Sequence, residues 1–265
     1  AVDILAPEGA TAEDLEAIRH DLGLDQPVIV RYVKYMGGML HGDMGVSYVS
    51  KTDVFDTYME KLPATIKLSF ASILVSILLS VPLGIYSATR QGTVQDNISM
   101  IVAMIGLSMP NFWLGLLLII VFSLNLGWFP SGGDQTLSSI VLPAITIGTG
   151  LMATLTRTTR SSMLDVLKQE YLRTARAKGI PEKIVITSHA LRNALIPIIT
   201  IIGTQLAGVL GGSVLTETVF AWPGVGRLIV DSLNMRDTPL VTGSIIMTTI
   251  LLSIILLLVD LLYAV

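Results

Sequence analysis

The 265-residue sequence contains no cysteine. Disulfides and thiolate-bound metals are therefore excluded. Charge is scarce as well: 14% of residues are Asp, Glu, Lys or Arg, where a soluble domain carries about 25%. The chain has no G-x-x-x-x-G-K-[ST] loop to cradle phosphates, no H-E-x-x-H and no G-x-S-x-G elbow. His20 and His41 stand without a second histidine or carboxylate at ligand spacing. No catalytic residue, metal ligand or nucleic-acid partner is assigned, and the chain is not expected to be an enzyme.

What the chain has instead is apolar length. Hydrophobic residues make up 52% of it, and the mean hydropathy is +0.71. Runs of about 20 apolar residues are candidates for membrane-spanning helices. A closed barrel would show alternating segments of about ten residues. The fold class is all-α, a polytopic helical membrane protein in contact with lipid. Five spans are expected, at 63–89, 97–126, 139–156, 195–215 and 241–263. The second is too long for one straight crossing, so a kink or break is expected at Pro110. Trp128-Phe129-Pro130 reads as an interfacial anchor. Lys67 and Asp260 are ionisable groups near span ends, where snorkelling to the interface competes with a functional reading.

Charge divides the chain. Residues 1–62 hold five cations against eleven acids, whereas 159–194 hold seven cations against three. The positive-inside bias places 159–194 in the cytoplasm. Residues 1–62, 127–138 and 216–240 then fall on the other side. Residues 1–62 read as an extracytoplasmic helical segment, with Thr11 as an N-cap, a stripe of Leu15, Ile18 and Leu22, and Gly23 past its end. A second amphipathic helix runs over 28–40. Residues 63–265 form the transmembrane domain. A start outside without a signal peptide implies another span upstream, so the chain reads as a fragment of a six-span protein with both termini cytoplasmic.

Within the basic loop, Met163, Leu164, Val166, Leu167, Tyr171, Leu172 and Ala175 predict one apolar helical stripe. Gly179 ends it and Pro181 starts the next helix. The pattern fits an amphipathic segment lying on anionic lipid as well as a docking joint. In the fourth span, Thr200, Thr204, Ala207, Gly208, Gly211 and Gly212 cluster on one broad face, with Gly208 and Gly212 as a GxxxG pair, which predicts close helix packing; Thr200, Thr204, Gln205, Gly208 and Ser213 predict a path lining, and the two readings are compatible. The outer segment carries Phe220-Ala-Trp-Pro-Gly-Val-Gly-Arg227, a turn followed by a short amphipathic helix.

The loop resembles the EAA coupling loop of ABC importer permeases. Counted back from Gly179, the Glu-Ala-Ala places hold Arg173, Thr174 and Ala175. That departure is itself similar to the dipeptide, oligopeptide and nickel permease family, whose pattern continues through His189-Ala-Leu-Arg-Asn193. Further matches include Leu22-Gly-Leu-Asp-Gln-Pro27, Gly42-Asp-Met-Gly45, Ser108-Met-Pro-Asn-Phe-Trp113 and Met235-Arg-Asp237. The resemblance implies a MetI-like permease fold and a place in a bacterial inner membrane. It implies a second related permease in a heterodimer, two ATPase subunits that bind ATP and Mg, and an extracytoplasmic substrate-binding protein. No cofactor is expected in this chain. Glu170, Arg173, Ala175, Arg176, Gly179, His189 and Asn193 become candidates for ATPase coupling, with an acid or a backbone carbonyl of the ATPase expected opposite Arg173. Trp222, Pro223, Gly224 and Gly226 become candidates for an outer gate. The expected cargo is a peptide or related small solute, with a nickel chelate or glutathione as alternatives. An ion-coupled secondary transporter is the contrasting class; it calls for mid-membrane acids or bases and inverted repeats, which the sequence does not show.

Overall fold

The computed structural model describes residues 11–21 and 24–264. Leu22, Gly23 and the side chain of Ile18, part of the expected first stripe, lie outside the described residues. Two short helices come first, α1 (Ala12–Asp21) and α2 (Val28–Leu40). Helix α1 begins directly after Thr11, whose carbonyl accepts the Leu15 N–H. Among the described residues there is no β-strand; Val46 and Asp53 form an isolated bridge.

Helix α3 (Val54–Thr89) is the first span. It begins nine residues earlier than the sequence suggests, because Asp53 caps it by accepting from the N–H groups of Phe55 and Asp56. Pro63, expected in a first turn, is interior. At 36 residues the helix is about 54 Å long, against an apolar bilayer core of about 30 Å. Its surplus packs Val54 and Tyr58 with Met44, Val225, Leu240 and Met247 in a separate core at one end of the bundle. One rod thus runs through the boundary expected at residue 62.

The break at Pro110 is present. Helices α4 (Val94–Ser108) and α5 (Asn111–Asn125) meet at 95°. Met109 is extended, and proline disfavours a helical residue before it. Each arm is about 22 Å long, too short to span alone. Past α5, the rings of Phe122 and exposed Trp128 lie 5.7 Å apart.

Helix α6 (Leu137–Leu167) is the centre, with 61% of its apolar window buried, against 11% for the last span. It meets α3 along a seam of small residues: Thr65, Ser69, Ser72, Ser76, Ser80, Gly84 and Ser87 are all buried on one face of α3. Ser69 and Ser72 return their hydroxyls to their own helix, while Thr65 and Ser87, toward the two ends of the seam, donate to carboxylates of other elements. A Cβ on Gly84 would sit 2.6 Å from Thr159 Cβ, which shows how close the backbones approach.

Helix α7 (Glu170–Ala177) follows α6 after a break at Lys168 and Gln169. The single stripe expected from Met163 to Ala175 is therefore two helices. Met163, Leu172 and Ala175 still share one core with Val185, Ala190, Ala194 and Ile198. Helix α8 (Glu182–Gly212) is one continuous rod, including a wide turn over Val185–Ala190; the fourth span and the second loop helix are one element. The short α9 (Val214–Val219) and α10 (Val225–Asn234) lead to the last span, α11 (Thr238–Ala264).

Candidate functional site

The two ends of α8 carry the residues singled out by sequence. At the basic end, α7 stops in a turn whose bonds are all local. Gly179 N–H donates to Arg176 O, and Ile180 N–H donates to Ala175 O. Gly179 has φ +76°, which an L side chain adopts only under strain. Arg176 reaches across the turn to Glu182, with Nε at 3.1 Å and Nη2 at 2.9 Å from its two oxygens. Asn193 donates to the Tyr171 hydroxyl at 2.8 Å and to His189 O at 2.9 Å. Helix α7 is thereby fixed to α8 on one side and buries Leu172 and Ala175 on that side.

Its other side is open. Glu170 and Arg173 pair at 2.8 Å with side chains more than 70% exposed. Arg173, expected to seek an acid or carbonyl outside the chain, has Glu170 as an acidic partner within it. Ala175 points into the core, and His189 contributes its backbone carbonyl. The structure brings all seven coupling candidates to one end of the bundle. Tyr171 belongs with them and was missed, because one aromatic in an amphipathic stripe reads as packing.

At the opposite end, one carboxylate organises the segment. Glu217 is fully buried. Its Oε1 accepts from Thr65 and Ser213 hydroxyls, both at 2.9 Å, and its Oε2 accepts from Arg227 N–H at 3.1 Å. Thr65 in turn accepts Val225 N–H. No cation pairs with Glu217 among the described residues, so burial pushes its carboxyl above the ordinary 4.5 even though these hydrogen bonds pull the other way. Gly224 and Gly226 are glycine because a Cβ on either would strike this carboxylate. Trp222 is buried and donates from Nε1 to Ala64 O at 2.9 Å. Of the outer-gate candidates, Gly224 and Gly226 border Glu217 and Trp222 bonds to α3. Asp237 repeats the arrangement nearby: buried, it accepts from Ser47 Oγ and from the backbone N–H of Tyr48 and Val49, tying the 47–49 loop to the start of α11. Neither acid stands out in the sequence, since Thr65 lies 152 positions from Glu217 and Ser47 lies 190 positions from Asp237.

Between the two ends, α8 presents Asn193, Pro197, Thr204, Gly208 and Gly212 as exposed positions on one face. Gly208 and Gly212 do not pack on another helix; a Cβ there meets nothing within 4 Å. The glycines that do are Gly203 and Gly211, against Val259 and Leu252 of α11. Thr200 and Thr204 return their hydroxyls to α8 carbonyls. Ser213, expected to line a path, is buried with its hydroxyl on Glu217. Gln205 donates to Leu151 O at 3.1 Å, and its Oε1 is buried without a partner. A cleft of about 180 Å³ between α5, α6 and α8 is lined by Asn111, Leu151, Gln205, Gly208 and Gly212, among others. Lys67 and Asp260 are exposed on their helices, and no group of acids and histidines able to hold a metal occurs among the described residues.

Comparison with known proteins gives a consistent result. A family model described as "Binding-protein-dependent transport system inner membrane component" matches residues 80–265, and its N-terminal companion matches residues 4–69. The oligopeptide transport system permease protein AppB of Bacillus subtilis (strain 168) is 44% identical over 263 residues, covering 95% of this chain and 83% of its own length. The glutathione transport system permease protein GsiC of Escherichia coli (strain K12) is 42% identical over 261 residues, covering 98% and 85%. Among solved structures, the MetNI methionine ABC transporter in inward-facing conformations matches with a TM-score of 0.64 at 19% identity, over 78% of this chain and 94% of that one. An amino acid ABC transporter solved with histidines matches with a TM-score of 0.61 at 13% identity, over 79% and 94%. These two show the fold alone.

Proposed function

We propose, from the premise that this chain belongs to the family of binding-protein-dependent transport system inner membrane components, that α7 and the Gly179 turn are its transmission joint. The chain is an ABC importer permease of the inner membrane. In this reading it forms half of a translocation path with a second, related permease. Two cytoplasmic ATPase subunits hold the ATP and Mg, and a substrate-binding protein delivers cargo from outside. The observation that carries the joint is the two-sidedness of α7: welded to α6 and α8 by Leu172, Ala175 and the Arg176–Glu182 bridge, and open on the face of Glu170 and Arg173. A partner pressing on that face moves α8 as a rigid body, which alternating access requires.

The exposed face of α8, with Thr200, Thr204, Gly208 and Gly212, and the cleft beside Gln205 support its role as path lining. Trp222, Pro223, Gly224 and Gly226 are read as an outer gate stiffened by Glu217. A peptide is the cargo favoured by the likeness to an oligopeptide permease, and the likeness to a glutathione permease supports glutathione as the second reading. Co-purification with the products of neighbouring genes tests the joint. The native chain should retain ATPase subunits and Gly179→Trp should lose them. Retention by Gly179→Trp, or no ATPase with the native chain, overturns it.

A further inference from the structure

Arg160 was counted among the loop cations that set topology, yet it does not sit in the loop. It lies on α6, within the bundle, with its side chain 26% exposed. Its Nε and Nη2 meet the two oxygens of Asp96 at 2.8 and 2.7 Å, a bidentate fork. Asp96 is nearly completely buried in the first turn of α4. It also accepts from the Ser87 hydroxyl in the last turn of α3 and from Gly92 N–H in the connecting turn. One carboxylate thus joins the basic ends of α3, α4 and α6. One turn away the α3 and α6 backbones meet at Gly84 and Thr159. On one side of this knot, α6 runs seven residues to its end and then into α7. On the other, α4 runs to the 95° bend at Pro110, beyond which Asn111 borders the cleft.

We propose that Asp96 and Arg160 are positioning residues that force the basic ends of α3, α4 and α6 to move as one body, so that displacement of α7 reaches the bent α4–α5 pair. The inference rests on the reading of α7 as the transmission joint. A buried pair is weak evidence for stability by itself, and here its geometry ties one buried carboxylate of α4 to both α3 and α6. Without the fork, α6 can follow α7 while α4 stays behind.

The test uses the full importer in proteoliposomes, with its binding protein and a peptide cargo. Asp96→Asn and Arg160→Gln should lower uptake while ATP hydrolysis persists, raising ATP consumed per solute about tenfold, within the range of coupling between sites. The exchange Asp96→Arg with Arg160→Asp should recover part of that loss. Because the chain lacks cysteine, spin labels at Asn97→Cys and Ser161→Cys, both exposed on their helices, report the α4–α6 spacing directly. That spacing should stay constant through ATP binding in the native pairing and change in Asp96→Asn. Uptake and hydrolysis falling in proportion, or constant spacing in the variant, overturns the clamp. Absence of ATP-dependent uptake by the native importer instead overturns the transmission reading, and the spacing measurement then decides the clamp separately.

Discussion

Helices α7 and α9 flank α8, one before it and one after it, and both stop in the same way. In α7, Gly179 and Ile180 donate back to Arg176 and Ala175; in α9, Ala221 and Trp222 donate back to Thr218 and Glu217. The residue in the left-handed conformation is Gly179 in one and Ala221, at φ +48°, in the other. The basic-end turn is relaxed and its helix is open on one face. The opposite turn carries strain and its helix holds a fully buried carboxylate. The surface proposed to accept a partner is built without internal tension. A segment that must hold position is locked from inside, and the lock tolerates a strained residue.

The largest expected effect falls on the lock. Glu217→Ala leaves two hydroxyls and a backbone N–H unpaired in a dry site, which costs about 3 kcal/mol or more; thermal unfolding in detergent should show it, with Glu217→Gln milder. pH sharpens the same point. The Glu217 carboxyl is raised above 4.5 in the folded chain, so its contribution is fully present below that value and is lost as pH rises through the native one. Glu217→Gln should remove that slope from the melting curves. An unchanged slope would mean that the carboxylate is not the group that titrates.

Next come the turns themselves. Gly179→Ala should destabilise by about 1 kcal/mol, while Ala221→Gly should stabilise by less than about 1 kcal/mol, because the same conformation suits the two residues differently. If both exchanges act in the same direction, the contrast between relaxed and strained turns is wrong. The smallest stability effect belongs to Arg173→Ala. An exposed pair contributes under about 1 kcal/mol, so the melt should barely move, yet ATPase retention on co-purification should drop.

Much of this architecture was legible because it is written in local pattern. The apolar runs, the break at Pro110 and the Gly179 turn each depend on neighbours within a few residues. The beginnings of helices were less legible: Asp53 starts α3 ahead of the apolar run, since a cap acts on two backbone groups while hydropathy averages over about twenty residues. Least legible were the pairings across the fold. Asp96 with Arg160, Glu217 with Thr65, and Asp237 with Ser47 join residues that no single-sequence periodicity connects. The glycines illustrate this. Of the small face expected to pack, Gly211 does meet α11, joined by Gly203, whereas the Gly208–Gly212 pair meets nothing, because the rotation of α8 about its axis is set by α11.

A continuous α8 also fixes a mechanical ratio. Its 31 residues make a rod of about 46 Å, so a tilt of about 5° about the end held through Ser213 sweeps the Gly179 end by about 4 Å. Points along the rod move in proportion to their distance from that pivot. Thr200 would travel roughly two fifths as far as the turn, and Gly212 would scarcely travel. On the proposed reading of α7 as the transmission joint, α8 would act as a lever of the reducing kind: a coarse stroke applied below would become a fine adjustment above, with the pivot at Glu217.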